Sequence, residues 1–149
     1  MLDHTIDTTI RIDAHPTRVW DVLTDFPAYP HWNPFIRSIE GRLVIGETLV
    51  VRIAPPGRRA MTFRPKVIAL AQGRELRWLG HLLVPYLFDG AHGFQVLPEG
   101  EGTLFRQGEA FAGLLVPFLG MALFQSTEAG FLAMNEALKA RAEGEGGSL

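Results

Sequence analysis

The amino-acid sequence predicts an α+β domain in which one long C-terminal helix covers the apolar face of a seven-stranded antiparallel sheet. Three observations predict it: an N-terminal segment of period two, six further strand-like segments cut apart by turn signals, and a change to helical period after about residue 117. Six segments in succession with no helix between them pair as hairpins, because parallel crossovers need a dozen or more residues.

The first strand is His4 to Asp13, where Ile6, Thr8, Ile10 and Ile12 alternate with Asp7, Thr9 and Arg11. Pro16 stands where a helix begins, and Val19, Trp20, Val22 and Leu23 give that helix an apolar face up to Thr24. The next stretch, Asp25 to Pro34, carries prolines at 27, 30 and 34, which leaves room for a short helical turn and nothing longer. The six later strands are read at Phe35–Val44, Thr48–Ile53, Ala60–Ala71, Glu75–His81, Leu87–Leu97 and Thr103–Phe111. From Pro117 to Ala142, apolar positions Phe124, Phe131, Met134 and Leu138 share a helix with Glu128, Glu136, Lys139 and Arg141 on its other faces. One domain is expected over 1–142, and Glu143 to Leu149, with three glycines in seven residues, reads as a disordered tail.

Composition narrows the function. The 149 residues can bury a core without staples, and the absence of cysteine excludes disulfides, thiolate metal sites and a cysteine nucleophile. A net charge of −2 lacks the basic face that a nucleic-acid binder needs. The mean hydropathy of +0.12 leaves apolar side chains to be placed in a membrane, a core or a cavity wall. The longest uncharged run, Ala110–Thr127, is interrupted by Gly113, Pro117 and Gly120 and is too short to span a bilayer. No signal peptide is visible at Met1–Thr5, so a cytoplasmic location is expected. No metal site or cofactor is expected either: His4, His15, His31 and His81 are scattered, and no phosphate loop or Gly-x-Ser-x-Gly elbow is present.

The segment Ala14-His15-Pro16…Val19-Trp20-Asp21-Val22-Leu23-Thr24-Asp25-Phe26…Tyr29-Pro30…Trp32-Asn33-Pro34-Phe35 resembles the START/Bet v 1-like superfamily, the SRPBCC domains. It is most similar to the bacterial polyketide cyclase/dehydrase and lipid-transport group. Gly90-Ala91-His92-Gly93-Phe94, Gly102-Thr103 and Glu109–Gly113 look like that group too. The resemblance implies a helix-grip fold: a curved seven-stranded sheet wrapped round the C-terminal helix, with two short helices after the first strand. It also implies an apolar cavity for a small hydrophobic ligand such as a lipid or polyketide. A fold of this kind licenses a pocket without naming a reaction.

Alternation along the strands selects the wall. In the last strand Phe105, Gln107, Glu109 and Phe111 share the face that holds the aromatics; in the strand before it, His92 lies between Phe88 and Phe94 on one face. His92, Phe94, Phe105, Gln107, Glu109 and Phe111, with Trp32, Phe35, Phe63, Trp78, Phe131 and Met134, form the expected ligand site. A carboxyl taken out of water holds its proton to higher pH, so Glu109 and His92 are candidate proton carriers for a cyclase or dehydratase. The plainer alternative has Glu109 solvated at the mouth or paired with an arginine, and His92 bonded to backbone. Arg52, Arg58, Arg59 and Arg64 surround one hairpin tip, suited to an anionic headgroup or to guarding a strand edge.

A near-repeat stands out. Leu82-Leu83-Val84-Pro85-Tyr86-Leu87 is echoed by Leu114-Leu115-Val116-Pro117-Phe118-Leu119, each in a connection. Connections are normally polar. Leu83, Pro85, Tyr86, Leu115, Pro117 and Phe118 are therefore expected to pack on one another, to gate the cavity, or to make peripheral membrane or homodimer contact.

Overall fold

The computed structural model describes residues 3–81 and 84–144. Strand β1 (Asp3–Ile12) leads into α1 (Pro16–Thr24), a 3-10 turn over Phe26–Ala28 and the short helix α2 (Tyr29–Trp32). Seven more strands follow: β2 (Ile36–Glu40), β3 (Val50–Ile53), β4 (Met61–Phe63), β5 (Lys66–Ala71), β6 (Glu75–His81), β7 (Asp89–Glu99) and β8 (Gly102–Ala112). A 3-10 turn at Val116–Phe118 and helix α3 (Gly120–Glu143) complete the chain. α3 reaches one residue past the expected domain end, because the Glu143 carboxylate accepts hydrogen bonds from Lys139 Nζ and the Asp13 amide. The rest of the expected tail, 145–149, lies outside the described residues.

The strands form a five-stranded antiparallel sheet, β1-β8-β7-β6-β5, and a three-stranded one, β2-β3-β4, rather than a single sheet of seven. The expected strand Ala60–Ala71 is two strands, β4 and β5, parted at Arg64-Pro65. Pro65 has no amide hydrogen for a ladder, and only its carbonyl is used, accepting from Leu49 N at 2.8 Å. Val67 N donates to Glu47 O at 2.9 Å and Gly46 N to Val67 O at 2.8 Å, so the two sheets meet across this break. Together they curve around α3 as a helix-grip fold.

Local chemistry fixes the entry to this layout. Pro16 occupies the first turn of α1, and His15 Nδ1 caps the helix by accepting from Thr17 N at 3.1 Å. Asn33 Oδ1 accepts from the amides of both Phe35 and Ile36, at 2.9 and 2.8 Å. Such a turn lets the three-proline stretch end in a strand with Phe35 driven inward. Phe35, Phe94, Phe105, Phe131, Met134 and Leu138 are fully or almost fully buried in one core between sheet and helix. Phe131 meets Phe35 edge to face, with ring centroids 5.4 Å apart.

The two apolar connections lie side by side. Leu114 N donates to Tyr86 O at 3.1 Å and Leu115 N to Leu87 O at 3.0 Å. Tyr86 and Phe118 are nonetheless 80 % and 82 % exposed, and Pro85 and Pro117 are exposed as well. Leu115 is partly buried; Leu83 lies outside the described residues.

Candidate functional site

The long pair β7 and β8 carries the site's chemistry. Its register sets His92 opposite Glu109 and Phe94 opposite Gln107. β6 adds Trp78 beside His92, and β1 adds Ile6 beside Glu109 and Thr8 beside Gln107. Two inward-facing rows thus cross the sheet: Trp78, His92, Glu109 and Ile6 in one, Leu76, Phe94, Gln107 and Thr8 in the next.

A partly open cavity of about 120 Å³ lies over the first row, between the sheet and the N-terminal half of α3. Its walls are mostly apolar, including Phe35, Phe63, Trp78, Phe88 and Phe111, with Leu123 and Thr127 from the helix. His92 and Glu109 supply the polar wall. The volume falls below the roughly 300–1,000 Å³ of drug-sized pockets, because much of the expected lining is packed into the core instead. Of the twelve residues the sequence assigns to the wall, Phe35, Phe63, Trp78, His92, Glu109 and Phe111 line this cavity. Phe94, Phe105, Gln107, Phe131 and Met134 lie buried behind it, and Trp32 packs edge to face on Tyr29. None of the described residues expected at a portal touches it.

His92 is 1 % exposed and stands between the rings of Trp78, Phe94 and Phe131. Its Nδ1 lies 3.1 Å from Glu109 Oε1 and its Nε2 lies 2.9 Å from Gln107 Oε1. The Gln107 amide nitrogen donates to Asn135 Oδ1 at 2.8 Å, Asn135 Nδ2 donates to Thr8 Oγ1 at 2.9 Å, and Thr8 Oγ1 donates to the Gln107 carbonyl at 2.7 Å. Gly90 makes room for the carboxylate: a Cβ there would stand 2.2 Å from Glu109 Oε2. Glu109, its side chain 17 % exposed, pairs with His92 rather than with an arginine, and His92 bonds to side chains rather than backbone.

Sequence reasoning passed over Asn135 and Thr8. The one available signal was a polar residue at 135 beside Met134 and Leu138 on the helix's apolar side, together with Thr8 in phase with Ile6 and Ile10. The remaining histidines serve elsewhere: His4 stacks on Phe124 with centroids 4.0 Å apart, His31 is exposed, and His81 at the cavity rim pairs with Asp89 at 2.7 Å. Among the described residues no cluster of His, Asp and Glu could hold a metal ion, and no helix is long and apolar enough to cross a membrane. Arg52, Arg58, Arg59 and Arg64 are all exposed.

A search of curated protein sequences found no match. Solved structures similar in fold include the two-domain aromatase/cyclase StfQ of the steffimycin pathway, with TM-score 0.77 and 16 % identity over 98 % of this chain. This chain spans about half, 52 %, of that protein. The ZhuI aromatase/cyclase from Streptomyces sp. R1128 gives a TM-score of 0.75 and 18 % identity, covering 95 % of this chain and 94 % of its own. A START superfamily protein from Mycobacterium smegmatis gives 0.73 and 20 %, covering 94 % and 97 %. At these identities the likeness establishes the fold. The model of the polyketide cyclase/dehydrase and lipid transport family matches residues 3–143, and this chain, with its helix-grip architecture, belongs to that family.

Proposed function

We propose that the protein binds a small hydrophobic molecule, polyketide- or lipid-like, in the cavity between the sheet and α3. The observation that carries this reading is a mostly apolar cavity with a hydrogen-bonded side-chain pair, His92 and Glu109, on its sheet wall. Desolvating apolar surface drives the binding, at about 25 cal/mol per Å² removed from water, and the polar wall orients what enters. The present volume suits one or two rings; a long acyl chain requires the cavity to widen. Native mass spectrometry of freshly purified protein tests the reading by seeking a retained small mass. Protein that carries none, and that takes up no N-phenyl-1-naphthylamine by fluorescence, refutes it.

The contact between His92 and Glu109 supports a second reading, a cyclase or dehydratase in which the two act as proton carriers. Dehydration needs a proton delivered to a leaving hydroxyl, and a carboxyl beside an imidazole within hydrogen-bond reach supplies one. Under this reading Glu109→Gln loses turnover while retaining ligand. The exposure of Tyr86 and Phe118 supports a subsidiary role for the two connections in peripheral membrane or dimer contact. Liposome flotation of the parent protein, with Leu115→Asp as control, checks the membrane form.

A further inference from the structure

We propose that the polar wall of the cavity is a hydroxyl-recognition site, and that Gln107 and Asn135 are the positioning residues that build it. The inference rests on the ligand-binding reading above and adds the chemical class of the ligand: a neutral apolar ring system bearing a hydroxyl, rather than an anionic lipid or fatty acid.

The donors and acceptors behind the cavity permit only one arrangement. The Thr8 hydroxyl spends its single proton on the Gln107 carbonyl, so its oxygen must accept from Asn135, which fixes that atom as the amide nitrogen. Asn135 Oδ1 then faces Gln107 and must accept from its amide nitrogen, which also points at the Phe131 carbonyl at 3.5 Å. Gln107 Oε1 is left facing His92 Nε2, and an oxygen can only accept. His92 therefore carries its proton on Nε2. Its Nδ1 faces Glu109 Oε1, so one further proton lies between them, either on the carboxyl or on the imidazole. Without that proton a lone pair would stand 3.1 Å from a carboxylate in an almost dry site.

Both nitrogens of His92 are thereby engaged, and Glu109 Oε2 is the atom left for a ligand. It lies beside Gly90 on the cavity side, where no Cβ intervenes. With the shared proton on Glu109 it sits on Oε1, which leaves Oε2 the carbonyl oxygen of a neutral carboxyl; with the proton on His92, Oε2 is a carboxylate oxygen, and in both states it only accepts. A hydroxyl donates, so it suits both states. A ketone, which only accepts, suits neither. A ligand carboxylate would meet a wall with no lysine or arginine among the described lining residues, and its charge would be desolvated without a partner. Trp78, Phe94 and Phe131 enclose His92 with rings, and among the described residues Glu109 is the one charged group bonded to it; His81 at the rim is held by Asp89.

The test uses the full chain and three probes on one ring system: 2-naphthol, naphthalene and 2-naphthoate. One net hydrogen bond makes 2-naphthol bind roughly 2- to 12-fold more tightly than naphthalene, and 2-naphthoate binds weakest. Glu109→Leu abolishes the difference between 2-naphthol and naphthalene. Independently of any ligand, long-range 1H–15N imidazole spectra show His92 protonated at Nε2. Gln107→Leu loses that signature, whereas Gln107→Glu, which keeps an acceptor at the same place, retains it. A wild-type spectrum with Nε2 bare overturns the proposal, as does 2-naphthoate binding as tightly as 2-naphthol. Tight naphthalene binding with no preference for 2-naphthol overturns this inference and leaves the cavity reading standing. Failure of all three probes to bind sinks both.

Discussion

Gly130→Ala sets helix propensity against packing, and the structure decides which wins. Gly130 lies inside α3, and replacing a mid-helix glycine by alanine ordinarily stabilises by about 1 kcal/mol. Here a Cβ would stand 2.2 and 2.5 Å from two carbons of the Phe35 ring, where ordinary contact begins at 3.4 Å. The ring must retreat by 3.4 − 2.2 = 1.2 Å. It is 2 % exposed and wedged edge to face on Phe131, so it can move only by displacing the core or filling the cavity it lines. Overpacking a dense core costs about 1–3 kcal/mol, and a clash with two ring carbons belongs in the upper half of that range. The net effect is a loss of about 1–2 kcal/mol, which for a chain of this length lowers Tm by about 2–8 °C. Thermal unfolding by circular dichroism reads the shift. In a Phe35→Leu background the clash is gone and the same substitution becomes stabilising, so the sign reverses across the cycle. A rise in Tm for the single variant, or the same loss in both backgrounds, refutes the reasoning.

Asn135→Leu removes the acceptor of the buried Gln107 amide and the donor to the Thr8 hydroxyl oxygen, and lowers stability by about 1–3 kcal/mol in urea unfolding. Tyr29→Phe removes the hydrogen bond from the Tyr29 hydroxyl to the Leu23 carbonyl and costs about 1 kcal/mol by the same assay; burial also pushes that hydroxyl far above the usual tyrosine range, so alkaline difference spectra of the folded protein show it untitrated. The fork of Arg106 holds Asp7 below the ordinary carboxylate range, through hydrogen bonds at 2.9 and 2.6 Å. A depressed folded value means that Asp7 favours folding above the unfolded value of about 4 and loses this as pH falls through the folded one. Asp7→Asn therefore flattens the acid limb of the stability curve measured by denaturant titration, and leaves a difference from wild type at pH 7 that vanishes in strong acid. Phe118→Asp changes an 82 % exposed ring and leaves unfolding free energy within about 0.5 kcal/mol of the parent.

Periodicity carried most of the architecture because the sheet is antiparallel and one-sided, so burial repeats every second residue. Phe105, Gln107, Glu109 and Phe111 can be placed on one face from β8 alone, and Phe94 with His92 from β7. The break at Pro65 was visible as a residue yet obscured by the continuous apolar character of 60–71, and strand identity there depends on who donates to whom. Cavity lining was less legible than burial. Phe105, Phe131 and Met134 share the inward face with true wall residues, and only the curvature of the sheet decides which of them have empty space in front. Asn135 and Thr8 were illegible as partners because their meeting joins the first strand to the last helix, 127 positions apart.

The placement of polar groups also explains why the cavity sits at this end of α3. An isolated imidazole and carboxyl buried among Trp78, Phe94 and Phe131 would cost several hydrogen bonds, so they persist only where a satisfied chain backs them. That chain needs a partner from the helix, and α3 offers one at Asn135, directly behind the second row of the sheet. Toward the N-terminal half of the helix the matching positions are Leu123 and Thr127, which stop short of the wall and leave it open. The glycines act at the same boundary: Gly90 clears space for Glu109, and Gly130 receives Phe35, whose ring would otherwise project further into the void. Cavity and polar chain are therefore two halves of one arrangement, and a substitution that closes the chain with apolar side chains makes the core more ordinary while removing the polar pair that would orient a ligand.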